Sequence, residues 1–338
     1  MFTVVSVDAY KLRKCLQYLA PMFPKGTTEI PIGLNLSKGK LTLTCTTGCV
    51  LQAIFDVDSQ DTATATVIYY TTIGSFLPGE KNINIEFLPT GVILSGDGFE
   101  VTLPMGYSTI TTYDFGDVKN VKEITTKAYQ ENLNTLLSMN LDKLYSKVKP
   151  VTIYENLAVI KYPNTWVQTR STGLSFVGSL DPDHVKLLCK FEPKRLSAAD
   201  ANSLWLQNDV ATLRLPCNTN CEENNFASML DKLGEPVTVS ITGFVEKLRN
   251  AAKCDPKGST KIALYPEGFK ASLGAGNVSM SIKVGDCSDS VIAVMHIPTQ
   301  MLLEFTKAMG SGTVQILYGG DLLCLRNQSM VILTRVVP

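Results

Sequence analysis

What most restricts how this chain can fold is a strand-and-helix plan that recurs three times along it, in segments of about 110 residues. Short β-branched runs dominate the sequence, few stretches carry helical periodicity, and those few repeat. The first kind begins near Asp8, Thr126 and Thr242, at spacings of 118 and 116 residues. Asp8 or Ser6 can cap a helix with Leu12, Leu16 and Leu19 on one face and Lys11, Arg13, Lys14 and Gln17 elsewhere. From Thr126 the inward residues are Tyr129, Leu133, Leu136 and Leu137. From Thr242 they are Val245, Leu248 and Ala252, with Lys247, Arg249, Asn250 and Lys253 outward. A shorter kind begins near Thr72, Pro182 and Pro298, where proline at the first helical position is a start signal. Its apolar residues are Ile73, Phe76 and Leu77, then Val185, Leu188 and Phe191, then Leu302, Phe305 and Met309.

Between these helices lie strands. Leu41-Thr42-Leu43-Thr44, Ile83-Asn84-Ile85, Val92-Ile93-Leu94, Val237-Thr238-Val239 and Val278 to Ile282 are short and often alternate, with Gly and Asx punctuation as antiparallel sheets require. Each copy closes with a strand: Val101 to Pro104, Leu213 to Pro216, Val331 to Thr334. A repeat of this size is too long for a solenoid, so each copy should own a core. The expected division is 1–118, 119–234 and 235–338, with polar linkers at Asp114 to Glu123 and Asn218 to Glu235.

Composition excludes several classes. Apolar runs such as Ala158 to Ile160 or Met330 to Leu333 are too short to cross a bilayer, and the start lacks the pattern of an export signal, so a cytoplasmic protein is expected. Nine cysteines fit reduced thiols better than a disulfide framework. Cys45/Cys49 and Cys217/Cys221 are spaced C-x3-C, looser than the usual zinc knuckle, and buried thiols are the preferred reading over metal. The formal net charge is zero. A whole-chain basic excess would have pointed to nucleic acid, but its absence leaves room for cations gathered on one surface.

At this point the residues resemble the bacterial β-type sliding clamp, the processivity factor of the replicative DNA polymerase. The resemblance spans the whole chain. It runs through the helix at Asp8, Ile30-Pro31-Ile32, Gly39 to Thr44, Thr71 to Pro78, Gly98 to Pro104, Trp166 to Thr169 with Leu174, and the tail Met330 to Pro338. No single motif is specific; order and spacing make the case. The resemblance implies an α+β fold of three tandem clamp domains, helices lining a central hole and antiparallel sheets on the rim. The ring would close as a head-to-tail homodimer. Size agrees: a domain of about 110 residues is roughly 34 Å across, so six leave a hole of about 34 Å and four only about 14 Å. A duplex is about 20 Å wide. The divergence would suit a virus-encoded clamp.

A clamp must hold DNA without gripping it, through phosphate contacts rather than base edges. The candidates are Lys11, Arg13 and Lys14; Lys186, Lys190, Lys194 and Arg195; Lys247, Arg249 and Lys253; and Lys307. A solvated face explains any one such helix, but recurrence in equivalent helices favours a DNA-facing role. The helix from Thr126 departs from this, carrying Glu131 beside Lys127. The resemblance also implies an apolar groove for peptides of the polymerase and clamp loader, between the second and third domains. Its matching positions are the turn Thr169 to Leu174 (with Thr169, Ser171, Thr172 and Leu174), then Met229, Leu230 and Leu233, Gln300, and the tail Thr334, Val336, Val337 and Pro338. The family's Gly-His-Arg turn is replaced here by Ser171-Thr172-Gly173, which implies an altered peptide. The tail reads equally as a strand end finishing the last sheet.

Catalysis has no constellation to rest on. His184 and His296 lie in different repeats, outside any HExxH or triad setting, and no phosphate loop or dinucleotide fingerprint occurs. Asp56, Asp58 and Asp61 fail the calcium-loop spacing. No cofactor and no metal are expected. The alternative function is a β-rich structural protein of a virion, which would need no basic inner helices.

Overall fold

The computed structural model describes residues 3–75, 81–110, 112–116, 118–139, 141, 145, 149–169, 172–200, 202–222, 224–255, 257–275 and 278–337. The chain divides into two compact units, Met1–Thr125 with Asp183–Thr219, and Thr126–Pro182 with Asn220–Pro338. The middle third is shared between them. The reason lies in the sheets, all of them antiparallel.

The first unit holds an eight-stranded sheet in the order Ala63–Tyr70, Glu29–Ser37, Lys40–Thr46, Val50–Asp56, Thr212–Pro216, Ser203–Gln207, Arg195–Asp200, Lys122–Glu123. It is two four-stranded halves joined edge to edge, Gln52, Leu51 and Val50 facing Thr212, Leu213 and Arg214. The unit's other sheet has four strands: Thr3–Asp8, Asn82–Leu88, Gly91–Gly96, Phe99–Pro104.

The second unit repeats the arrangement. Its eight strands run Val177–Leu180, Val151–Tyr154, Leu157–Lys161, Thr165–Thr169, Met330–Arg335, Leu322–Arg326, Thr313–Gly319, Val237–Ser240. The halves meet where Thr165 to Thr169 face Thr334 to Met330. Four more strands, Val278–Gly285, Gly268–Ala275, Ser259–Tyr265 and Ala293–Pro298, form the remaining sheet.

The segment leading into the first linker and the second linker each lie against an eight-stranded sheet, and the first linker ends in that sheet's edge strand Lys122–Glu123. In the first unit Gln52 Nε2 donates to the Tyr113 carbonyl at 3.1 Å and Asn35 Nδ2 to Thr112 Oγ1 at 2.9 Å. Gly33 permits this crossing, since a Cβ there would stand 2.5 Å from the Ile110 carbonyl oxygen. In the second unit Tyr154 donates its hydroxyl to the Glu222 carbonyl at 2.7 Å, and Phe226 is sunk into a cluster with Leu317, Leu322, Cys324, Val331 and Leu333.

The helices α1 Ala9–Leu19, α2 Ala128–Ser138, α3 Pro182–Phe191, α5 Phe244–Cys254 and α6 Thr299–Met309 follow the sequence periodicity, whereas the short α4 Phe226–Leu230 arises within the expected linker. Asp8 caps α1 by accepting from Lys11 N at 2.7 Å, and Leu12, Leu16 and Leu19 are buried beneath it. Each such burial contributes about 1.5–3 kcal/mol relative to exposure. Tyr129, Leu133 and Leu136 of α2 are buried, whereas Leu137 is half-buried. On α5 the buried stripe is Phe244, Leu248, Ala251 and Ala252; Val245, expected inward, sits at its margin and Phe244 takes the inner place. Val185, Leu188 and Phe191 of α3 and Leu302, Phe305 and Met309 of α6 are all buried. The short helix expected near Thr72 begins as a 3-10 turn at Thr71–Ser75, and Phe76 and Leu77 lie outside the described residues.

Candidate nucleic-acid and peptide surfaces

The eleven sequence-predicted cations divide by what already holds them. Lys11 is half-buried, its ammonium donating to the Ile54 carbonyl at 2.6 Å and lying 5.3 Å from the Phe55 ring centre. Lys14 lies over the Tyr10 ring, and Arg13 is half-buried. Lys186 pairs with Asp183 at 2.8 Å, Lys194 with Asp209, Arg195 with Glu123 at 3.6 Å and Lys307 with Glu304 at 2.7 Å. These pairs are mostly exposed, and such pairs contribute only about 0–1 kcal/mol. They remain available to a phosphate. The Asp183 carboxyl is held below its usual range chiefly by its hydrogen bond from Lys186.

Lys190, Lys247, Arg249 and Lys253 are exposed and make no ion pair among the described residues. Three of these four stand on α5. Its buried residues Phe244, Leu248 and Ala251 set one face; Arg249 and Lys253, four apart, centre the opposite one. Glu246 shares that outward face. The outward positions of α2, Glu131, Asn134 and Ser138, carry no cation.

The groove positions fall into two places. Thr169, Thr172 and Leu174 are buried. Thr169 faces Met330, while Thr334 faces Thr165 at the other end of the same strand pair. Four residues of strand separate them, about 13 Å. The turn that meets the tail is instead Tyr162-Pro163-Asn164: Arg335 N and Thr334 Oγ1 both donate to the Asn164 carbonyl, at 2.8 and 3.1 Å. Beside it a buried hydroxyl ladder runs from Tyr145 through Thr165 to Thr334, each step 2.8 Å, and Tyr145 stacks on Tyr162 at 4.9 Å. Arg170, Ser171 and Pro338 lie outside the described residues.

Met229, Leu230 and Leu233 gather as half-buried residues around the Phe226 cluster, and Trp166 joins them there. Gln300 is half-buried, Val336 buried and Val337 exposed, the last bridging His296 through backbone hydrogen bonds at 2.7 and 3.3 Å. Met330–Arg335 is a paired strand, so the tail finishes the sheet through Arg335 and leaves an apolar end at Val337. Trp166, Tyr145 and Asn164, which the sequence reading did not place in the groove, stand beside the Phe226 cluster or the tail. A tryptophan beside a Pro-Asn turn was the available signal.

Six of the described thiols, Cys15, Cys45, Cys49, Cys189, Cys217 and Cys324, are buried. Burial pushes Cys15, Cys45 and Cys189 up to about 12 and Cys49 to about 11, which keeps them protonated and opposes metal ligation. No group of three or more metal-ligating side chains occurs among the described residues. His184 is half-buried in the first turn of α3 and the His296 side chain is exposed. Among the described residues no helix is long and apolar enough to cross a membrane.

Three copies of one strand-helix-sheet plan, joined through shared antiparallel sheets, define a modular α+β protein. No protein-family model matches the sequence, and no curated protein does. Solved structures match throughout. The Helicobacter pylori β clamp in complex with 3,4-difluorobenzamide superimposes with a TM-score of 0.76 at 13% identity, covering 99% of this chain and 100% of that one. The same clamp bound to a DNA ligase peptide gives 0.72 at 13%, and the Pseudomonas aeruginosa DNA polymerase III subunit beta 0.75 at 12%, both with the same coverage. The fold of this chain is that of the bacterial β clamps.

Proposed function

We propose that this protein is a sliding clamp: a homodimeric ring of six repeats that encircles duplex DNA and tethers a replicative polymerase, without catalysing a reaction itself. One observation carries the reading. Each eight-stranded sheet joins the strand that closes one half-repeat, Thr212–Pro216 or Met330–Arg335, to the last hairpin strand of another, Val50–Asp56 or Thr165–Thr169. Their counterparts in the two four-stranded sheets are Phe99–Pro104 and Val278–Gly285, each an edge strand. Pairing those edges between two chains repeats the internal junction and closes the set after two copies, a heterologous contact that ends in a ring. The exposed cations of α3, α5 and α6 suit non-specific phosphate contact. The three repeats are then functional domains of about 1–118, 119–234 and 235–338, with a clamp loader needed to open the ring.

The partner surface belongs with Trp166, Met229, Leu230, Leu233 and the tail rather than with the buried Thr169, Thr172 and Leu174. A structural role in a virion is less well supported, since it gives the unpaired cations of α5 no purpose. The test is topological. Loaded protein should stay on nicked circular duplex in high salt and leave once that DNA is linearised. Equal retention on both forms, or a stable monomer, would refute the clamp reading.

A further inference from the structure

A cleft of about 500 Å³ opens in the second unit, lined by strands of its eight-stranded sheet and by the Tyr162-Pro163 turn. Its floor includes Tyr154, Tyr162 and Trp166, and the linker segment around Glu222 forms one wall. Two lysines stand in it. Lys149 is half-buried and makes no ion pair among the described residues. Lys161 is bound at 3.0 Å by Glu222, whose own backbone carbonyl accepts from Tyr154. The chain's own linker thus lays a carboxylate on a lysine beside aromatic rings. That pair is open to solvent, the Glu222 side chain 85% exposed, so an incoming carboxylate can replace it at little cost.

We propose that this cleft binds a short acidic peptide segment of a partner protein, an apolar or aromatic side chain lying on Trp166 and carboxylates on Lys149 and Lys161. The inference rests on the tethering role and gives the partner its chemistry. Charge complementarity favours it: among the described lining residues two lysines stand against one displaceable glutamate, in a space of the size that small ligands and side chains fill. Single-stranded nucleic acid would call for a longer cationic track to follow its backbone than two lysines provide.

Selection of a random displayed-peptide library on the full-length protein tests this, with parallel selection on Lys149→Glu/Lys161→Glu and on Glu222→Gln. The expected outcome is enrichment of peptides with Asp or Glu near an aromatic residue. Their affinity should fall at least tenfold on the double variant, rise severalfold on Glu222→Gln, and their binding should perturb Trp166 fluorescence in a Trp205→Phe background. No selected binder, charge-indifferent or basic peptides, weaker binding on Glu222→Gln, or oligothymidylate perturbing Trp166 in their place would each overturn it. Retention of the double variant on nicked circles separates the two readings: peptide binding abolished with retention intact concerns this cleft alone, whereas absent retention in every variant refutes the clamp.

Discussion

Single residues at strained or junction positions decide more here than the bulk of the core. Asp8 satisfies one of the orphan amides of α1 through Lys11 N. Asp8→Ala should destabilise the fold by about 1 kcal/mol, read as a lower denaturant midpoint at unchanged slope. That cap was legible, because an Asx before an apolar-periodic run has few other uses. Which turn meets the tail was not. Ser171-Thr172-Gly173 and Tyr162-Pro163-Asn164 are both turn-rich, and only strand register shows that the second meets Thr334 and Arg335. A shift of position along a strand moves a residue by more than about 3 Å, and nothing local marks which end lies near the tail.

Helices carried their own evidence. The periodicity of α1, α3 and α6 identified their buried stripes and that of α2 and α5 most of theirs, since a 3.6-residue repeat follows from one face packing on a sheet. Charge was less readable. Eleven cations look alike in sequence, yet Lys11 is engaged by the Ile54 carbonyl, while Arg249 and Lys253 stand free on the outward face of α5. Replacing Arg249 and Lys253 with Gln should weaken DNA association and flatten its salt dependence, by about 0.9 in logarithmic slope for each phosphate no longer neutralised. Lys186→Gln with Lys194→Gln should do less, because each of these lysines is already engaged by an acid, Asp183 or Asp209, and so neutralises less phosphate charge. Titration of duplex binding at several salt concentrations checks the order; equal slopes in all variants would remove α5 from the DNA surface.

Over the whole molecule, two joined sheets are complete at eight strands and two stop at four. If Phe99–Pro104 pairs with Val278–Gly285 of a second copy, Val101→Asp at that half-exposed edge should convert dimer to monomer while leaving each chain folded. Sedimentation and circular dichroism together read this out. An unchanged dimer would place the contact elsewhere.

The sequence by itself determined the threefold plan, the α+β class and most of the inward residues of the long helices, because hydrophobic period and turn residues act within a dozen positions of one another. Tertiary structure alone decided that the middle third is divided between two units, which strands join the repeats, and which turn lies against the tail. Those depend on hydrogen bonds between residues far apart in the chain, such as Leu51 with Leu213 and Trp166 with Leu333, and an edge strand carries no local mark of its distant partner.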